Sequence, residues 1–230
     1  MPILLLSLTA CIHDLSWRDT ADTGPEPEPA PGLVDVAEGT VDNGAFLRFD
    51  GVVAATGLTR DGRTFFVQTP EGHAGLRVEL AFTGPVGPMA PGDVLTLQGY
   101  LDTGTGSPRL LMWEPDWLRR ETPVDAPEAA SIDLAAVSWS REAGRLVGVE
   151  ALESLDCPDA IGDIPLAGGL TLSDRFVPHP PAIVEGSDIA SVVGVLVEEW
   201  GEWQLWPVGP EAVGSVSGGR PCGPEVEGPL

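Results

Sequence analysis

Strand-like sequence broken by single internal glycines recurs in both halves of this chain, and no other feature restricts the fold as much. Arg48-Phe-Asp-Gly-Val-Val-Ala-Ala55 reads as a β-strand with Gly51 inside it, and Asp93-Val-Leu-Thr-Leu-Gln-Gly-Tyr-Leu101 as another with Gly99 inside it. In the second half, Arg145-Leu-Val-Gly148 keeps the Arg-to-Gly spacing, and Asp188-Ile-Ala-Ser-Val-Val-Gly194 keeps the Asp-to-Gly spacing. Gly51 and Gly99 lie 48 positions apart, Gly148 and Gly194 46. A strand-interior glycine gives up side-chain packing, so it marks a bulge or a sharp coil of the kind a small barrel needs. Two copies of both marks at near-equal separation predict a duplicated β module.

The remaining strands follow from alternation and turn residues. Thr64–Gln68 is one, and Gly75–Leu80 alternates apolar and polar as a half-buried strand should. Arg109–Trp113 closes the first copy, and Pro91-Gly92 announces the strand before it. The second copy's second and third strands fall within Ile164–Val177. Helical spacing is confined to Ser131–Ser140, where Ile132, Leu134, Ala135 and Val137 suggest a short helix or turn. The 29 glycines and 23 prolines fit a turn-rich chain. The expected organisation is a leader over residues 1–10, an acidic tether over 11–33, a first module over 34–122, a linker over 123–140, a second module over 141–217, and an irregular tail over 218–230.

Phe65-Phe-Val-Gln-Thr-Pro-Glu-Gly72, and the run from Pro91-Gly-Asp to Gly99, resemble OB-fold modules of secreted bacterial proteins, some of them joined to nucleases or phosphatases. The resemblance covers most of the chain and implies an all-β fold of two small five-stranded barrels in tandem. It also implies ligand contact across the second and third strands and the loops after strands one and four. Phe82–Ala90 departs from the family: it is too rich in proline and glycine for the helix that often sits there.

Met1–Ala10 is too short to span a bilayer, which takes about 20 apolar residues. Leu8-Thr9-Ala10-Cys11 resembles the lipobox of bacterial lipoproteins, although no basic residue precedes the apolar run. The resemblance implies a signal peptide cleaved before Cys11, lipid on the Cys11 thiol, and a membrane-anchored protein of the cell envelope. Ile12, where an inner-membrane protein would carry aspartate, implies the outer membrane by the same resemblance. Thr23-Gly-Pro-Glu-Pro-Glu-Pro-Ala-Pro-Gly32 suits an extended tether. With Cys11 lipidated in an oxidising compartment, Cys157 and Cys222 are left to form a disulfide, two free thiols being the alternative.

The chain carries a net charge of −23 and no lysine. Such a surface repels phosphate backbones and anionic headgroups, which argues against nucleic acid as a partner. The absence of lysine removes Schiff-base and Ser–Lys chemistry. No Gly-x-Ser-x-Gly elbow, phosphate loop or EF-hand loop is present. His13, His73 and His179 are scattered, and Asp50, Asp61, Glu71 and Asp174 read as solvated carboxylates near strand ends rather than a catalytic pair. No cofactor, metal site or catalytic residue is predicted. The expectation is a non-catalytic envelope protein displaying a binding or structural surface to an envelope protein or saccharide. The alternatives are an accessory module for a separate nuclease or phosphatase and, third, a stand-alone hydrolase.

The candidate contact surface is Glu198-Glu-Trp-Gly-Glu-Trp-Gln-Leu-Trp206. Gly201-Glu202 fits a two-residue type II′ turn. That turn would set Trp200 opposite Trp203 on one face and Val197 opposite Trp206 on the other. Trp200 and Trp203, rimmed by Glu199 and Glu202, would then meet a sugar, a cationic group or a partner protein. The competing expectation is that the tryptophans only staple the hairpin.

Overall fold

The computed structural model describes residues 31–82, 84, 86–178 and 182–222. The lipobox with Cys11, the expected leader, most of the tether, His13 and His179 lie outside these residues.

The first barrel is built from β1 (Phe46–Ala54), β2 (Thr64–Gln68), β3 (Gly75–Leu80), β4 (Val94–Asp102) and β5 (Arg109–Met112). The sheet runs β1-β2-β3-β5-β4 and closes where β4 pairs β1. Only β3 and β5 pair in parallel, which gives the strand order of an OB-fold barrel. Alternation fills the interior: Leu47 and Phe49 from β1, Phe65 and Val67 from β2, Leu95 and Leu97 from β4 are all buried together. A short β6 (Leu118–Arg120) extends β4 outward. As expected, the β3–β4 connection carries no helix among the described residues. Its Phe82, Val86 and Met89 pack on the core directly, joined by Leu33 and Val36 of a one-turn helix α1 (Leu33–Ala37).

The second module repeats this order. Its strands are β7 (Ala130–Ile132), β8 (Leu146–Glu153), β9 (Ile164–Leu166), β10 (Leu170–Leu172), β11 (Glu185–Glu199), β12 (Glu202–Pro207) and β13 (Val216–Arg220). The sheet runs β7-β8-β11-β12-β10-β9, with β10 and β12 parallel as β3 and β5 are. Between β8 and β9 the contact narrows to a bridge at Ser154 and Leu166. Two expectations shift. Strand β7 lies inside the segment expected to be a linker, and α2 (Trp139–Glu142) starts only after it. The expected irregular tail begins as strand, because β13 pairs with the start of β11, over Glu185–Ile189.

The duplicated glycines hold for one mark and not the other. Gly99 pairs with Leu47, and Gly194 with Val147, so the two glycines are equivalent. A Cβ on Gly99 would lie 2.6 Å from the Leu111 carbonyl oxygen, and one on Gly194 2.7 Å from that of Trp206. At both places strand four coils tightly against strand five. By the same register Gly51 corresponds to Ala151, not to Gly148. Gly51 has φ +71° at a bulge between Phe49 and Val52, and Ala151 has φ +55°. Gly148 sits in ordinary paired strand.

The modules share a third core. Phe66 points out of the first barrel and meets Trp206 and Phe176 at ring-centroid distances of 5.6 Å and 6.1 Å. Ala55, Leu146, Val195 and Val197 complete this buried junction.

Candidate functional site

The hairpin joining β11 to β12 forms, but in a different register from the expected one. Glu199 pairs with Glu202, Glu198 with Trp203, and Val195 with Trp206. Trp200 and Gly201 are therefore the turn residues, at φ +56° and +83°, as a type I′ turn demands. Trp200 does not oppose Trp203, and Val197 faces Gln204 rather than Trp206. Side-chain matching explains the choice. The observed register sets Leu196 against Leu205 in the barrel core, where the expected one would have set Leu205 against Glu198.

The three tryptophans consequently have three roles. Trp200 is 81% exposed at the tip. Trp203 is half-buried and packs on Trp139 of α2 at 5.5 Å. Trp206 is buried at the module junction, where Arg77 and Arg175 lie over its ring at 5.1 Å and 5.6 Å. Glu202 is exposed, whereas Glu199 is held by the Arg77 and Arg175 guanidinium groups and is 15% exposed. The expected four-residue contact set is thus divided: Trp200 and Glu202 are free, Trp203 partly so, and Glu199 is a structural anchor.

In front of β9 and β10 lies an open cleft of about 860 Å³, walled by the β8–β9 loop and the hairpin. Trp200, Trp203, Glu199 and Glu202 all line it, with Thr171 and Gln204 among the strand residues. Sequence reasoning missed the opposite wall. Leu155 and Ile161 are exposed apolar residues there, 55% and 67% accessible, beside Asp156, Asp159 and Asp163. Large apolar side chains in a turn-rich acidic loop were the signal that could have marked this wall. Cys157 belongs to the same loop and bonds to Cys222 just past β13, with Cα atoms 5.9 Å apart. The expected disulfide is present and ties the cleft wall to the sheet.

Asp159 shapes this loop by accepting the backbone N–H of Ile161 and of Asp163, both at 2.9 Å. Asp163 is shifted upward from the usual carboxylate range. Burial is the main cause, and Asp159 and Asp174 add to it against the Ser173 hydroxyl and Arg175. None of Asp156, Asp159, Asp163 and Glu202 joins an ion pair among the described residues.

The corresponding surface of the first barrel is closed. Register places Phe66 and Arg77 where the second barrel has Pro165 and Thr171. Phe66 is buried in the junction, and Arg77 is bound to Glu199. The β1–β2 loop is docked too, with Arg60 on Asp174 at 2.7 Å. A cavity of about 230 Å³ remains at this seam, lined by Arg60, Asp61, Arg77, Asp174, Arg175 and Trp206 among others. Burial pushes the Asp61 carboxyl up, but the Thr59 hydroxyl, the Arg63 N–H and the nearby arginines together hold it below its usual range.

Of the four carboxylates singled out from sequence, Asp61 and Asp174 meet at this seam. Asp50 pairs with Arg48 on the exposed face of β1, and Glu71 is exposed in the β2–β3 turn. Among the described residues no group of three or more His, Cys, Asp or Glu side chains could hold a metal ion. No family model, curated protein or solved structure matches the chain.

Proposed function

We propose that the protein is a non-catalytic, lipid-anchored cell-envelope protein that binds a neutral or aminated glycan in the cleft of its second barrel. The observation that carries this reading is Trp200. A bulky, 81% exposed indole occupies a left-handed turn position that asparagine or glycine would fill at less cost. Backbone strain at an exposed aromatic is poorly explained by folding and well explained by contact. Around it the cleft combines apolar side chains, which suit the C–H faces of sugar rings, with carboxylates and the Thr171 hydroxyl, which suit sugar hydroxyls. Its unpaired carboxylates disfavour polyanions. The lipobox-like Leu8–Cys11 supports the anchor.

Titration of the full chain with oligomers of N-acetylglucosamine, glucosamine and glucuronate, followed by tryptophan fluorescence, tests the cleft. The first two should bind and the uronate should not. Trp200→Ala should abolish binding without lowering the melting temperature. Failure of both the N-acetylglucosamine and the glucosamine oligomers to bind, binding of the uronate as tightly as these, or full binding by the Trp200 variant refutes the reading. The anchor has its own test: Cys11→Ala in cells should leave the membrane fraction or accumulate unprocessed, and unchanged partition would end that part of the proposal.

A further inference from the structure

We infer that the β4–β5 loop of the first barrel is the positioning element for the second barrel's hairpin, so the cleft is incomplete without the first module. This rests on the cleft being the binding site. In an isolated barrel of this type, the β4–β5 loop would flank that barrel's own ligand surface. Here it adds to its neighbour instead. Gly106 forms an antiparallel bridge with Glu199. Ser107 donates its N–H to the Glu198 carbonyl at 3.0 Å, and its hydroxyl oxygen accepts the Glu198 N–H at 2.6 Å. Trp200 donates its N–H to the Thr105 carbonyl at 3.2 Å. The loop therefore grips the residue at the tip and the two before it.

The grip depends on close backbone approach. Gly106 has φ +137°, and a Cβ there would overlap the Glu198 carbonyl oxygen. The loop is itself fixed, because Thr103 donates to the Asn43 side chain at 3.0 Å and Gly104 to Asp102 at 2.9 Å. An ionic contact runs in parallel from Arg77 of β3 to Glu199. A two-residue hairpin projecting into solvent would otherwise fray, and Trp200 would leave its strained turn. Neither Gly106 nor Ser107 lines the cleft, so their effect on binding passes through the hairpin.

The test uses full-chain Gly106→Val and Ser107→Ala, read by amide hydrogen exchange and by glucosamine-oligomer titration. Exchange at Trp200 and Glu198 should rise about tenfold or more in Gly106→Val and by less in Ser107→Ala, with β1 and β8 amides unchanged. Affinity should fall in the same order. Unchanged exchange at Trp200 in both variants would overturn the brace. Unchanged affinity despite faster exchange would show that the brace does not position the site, and would also overturn the inference. If the unaltered chain binds no glycan, the proposed function fails while the exchange measurement still judges the brace. If Gly106→Val does not fold, Ser107→Ala decides alone.

Discussion

In the glycan site proposed above, Trp200 would trade stability for contact. A left-handed conformation costs a bulky side chain about 1–2 kcal/mol, and here it occurs at φ +56°. Trp200→Asn should therefore stabilise the fold by about 1 kcal/mol, a rise of about 2–4 °C in melting temperature for a chain of this size, while glycan binding is lost. Calorimetry and titration of the same variant check both halves. Asp163 gives a prediction with a sign in pH. Its folded-state value lies above the ordinary 3.8, so its stabilising contribution is complete below pH 3.8 and is lost as pH rises through the folded value. Asp163→Asn should melt higher than the unaltered chain at pH 7, and the difference should vanish below pH 3.8. Melting curves across that range decide it.

Among the elements, those with clear alternation were legible to the residue. β2 and β3 fall at the bounds read from Thr64–Gln68 and Gly75–Leu80. β9 and β10 have three residues each, too few for a period to define a register. The hairpin could be recognised but not registered. Gly201 allows either turn, and the choice fell to Leu205 finding Leu196 across the strand. The disulfide was expected only once the lipobox resemblance set Cys11 aside, and its effect, which is to pin the cleft wall, was not legible. Breaking it opens a loop with ends 65 residues apart, and should cost about 2–4 kcal/mol in the chain-entropy model. It should also speed amide exchange in residues 155–163 more than in β8. Denaturant melts and exchange with and without reductant test this; equal stability in the two states would refute it.

At the scale of the whole molecule, Phe66, Phe176 and Trp206 bury one another across the module junction, which should couple the two modules into one cooperative body. The chain should unfold in a single calorimetric transition. Trp206→Ala should cost about 3–5 kcal/mol and divide that transition in two. Two transitions in the unaltered chain would refute the coupling. The division of labour also belongs to this scale. Two barrels with the same strand order have different fates, one surface sealed at the junction and the other open to solvent.

The sequence by itself determined the all-β class and the strand-four glycines, which follow from local period and backbone sterics acting within a strand. The two barrels and the Cys157–Cys222 pair were expectations drawn from its resemblance to OB-fold modules and to the lipobox, and the fold bears out both. Tertiary structure alone decided that Gly51 matches Ala151, that Trp200 forms the turn while Trp206 is buried, and that Glu199 is an anchor. It also decided which barrel keeps its cleft. These outcomes depend on residues far apart in the chain, such as Gly106 with Glu199 or Arg77 with Trp206, whose meeting is fixed only once both barrels have closed and packed together.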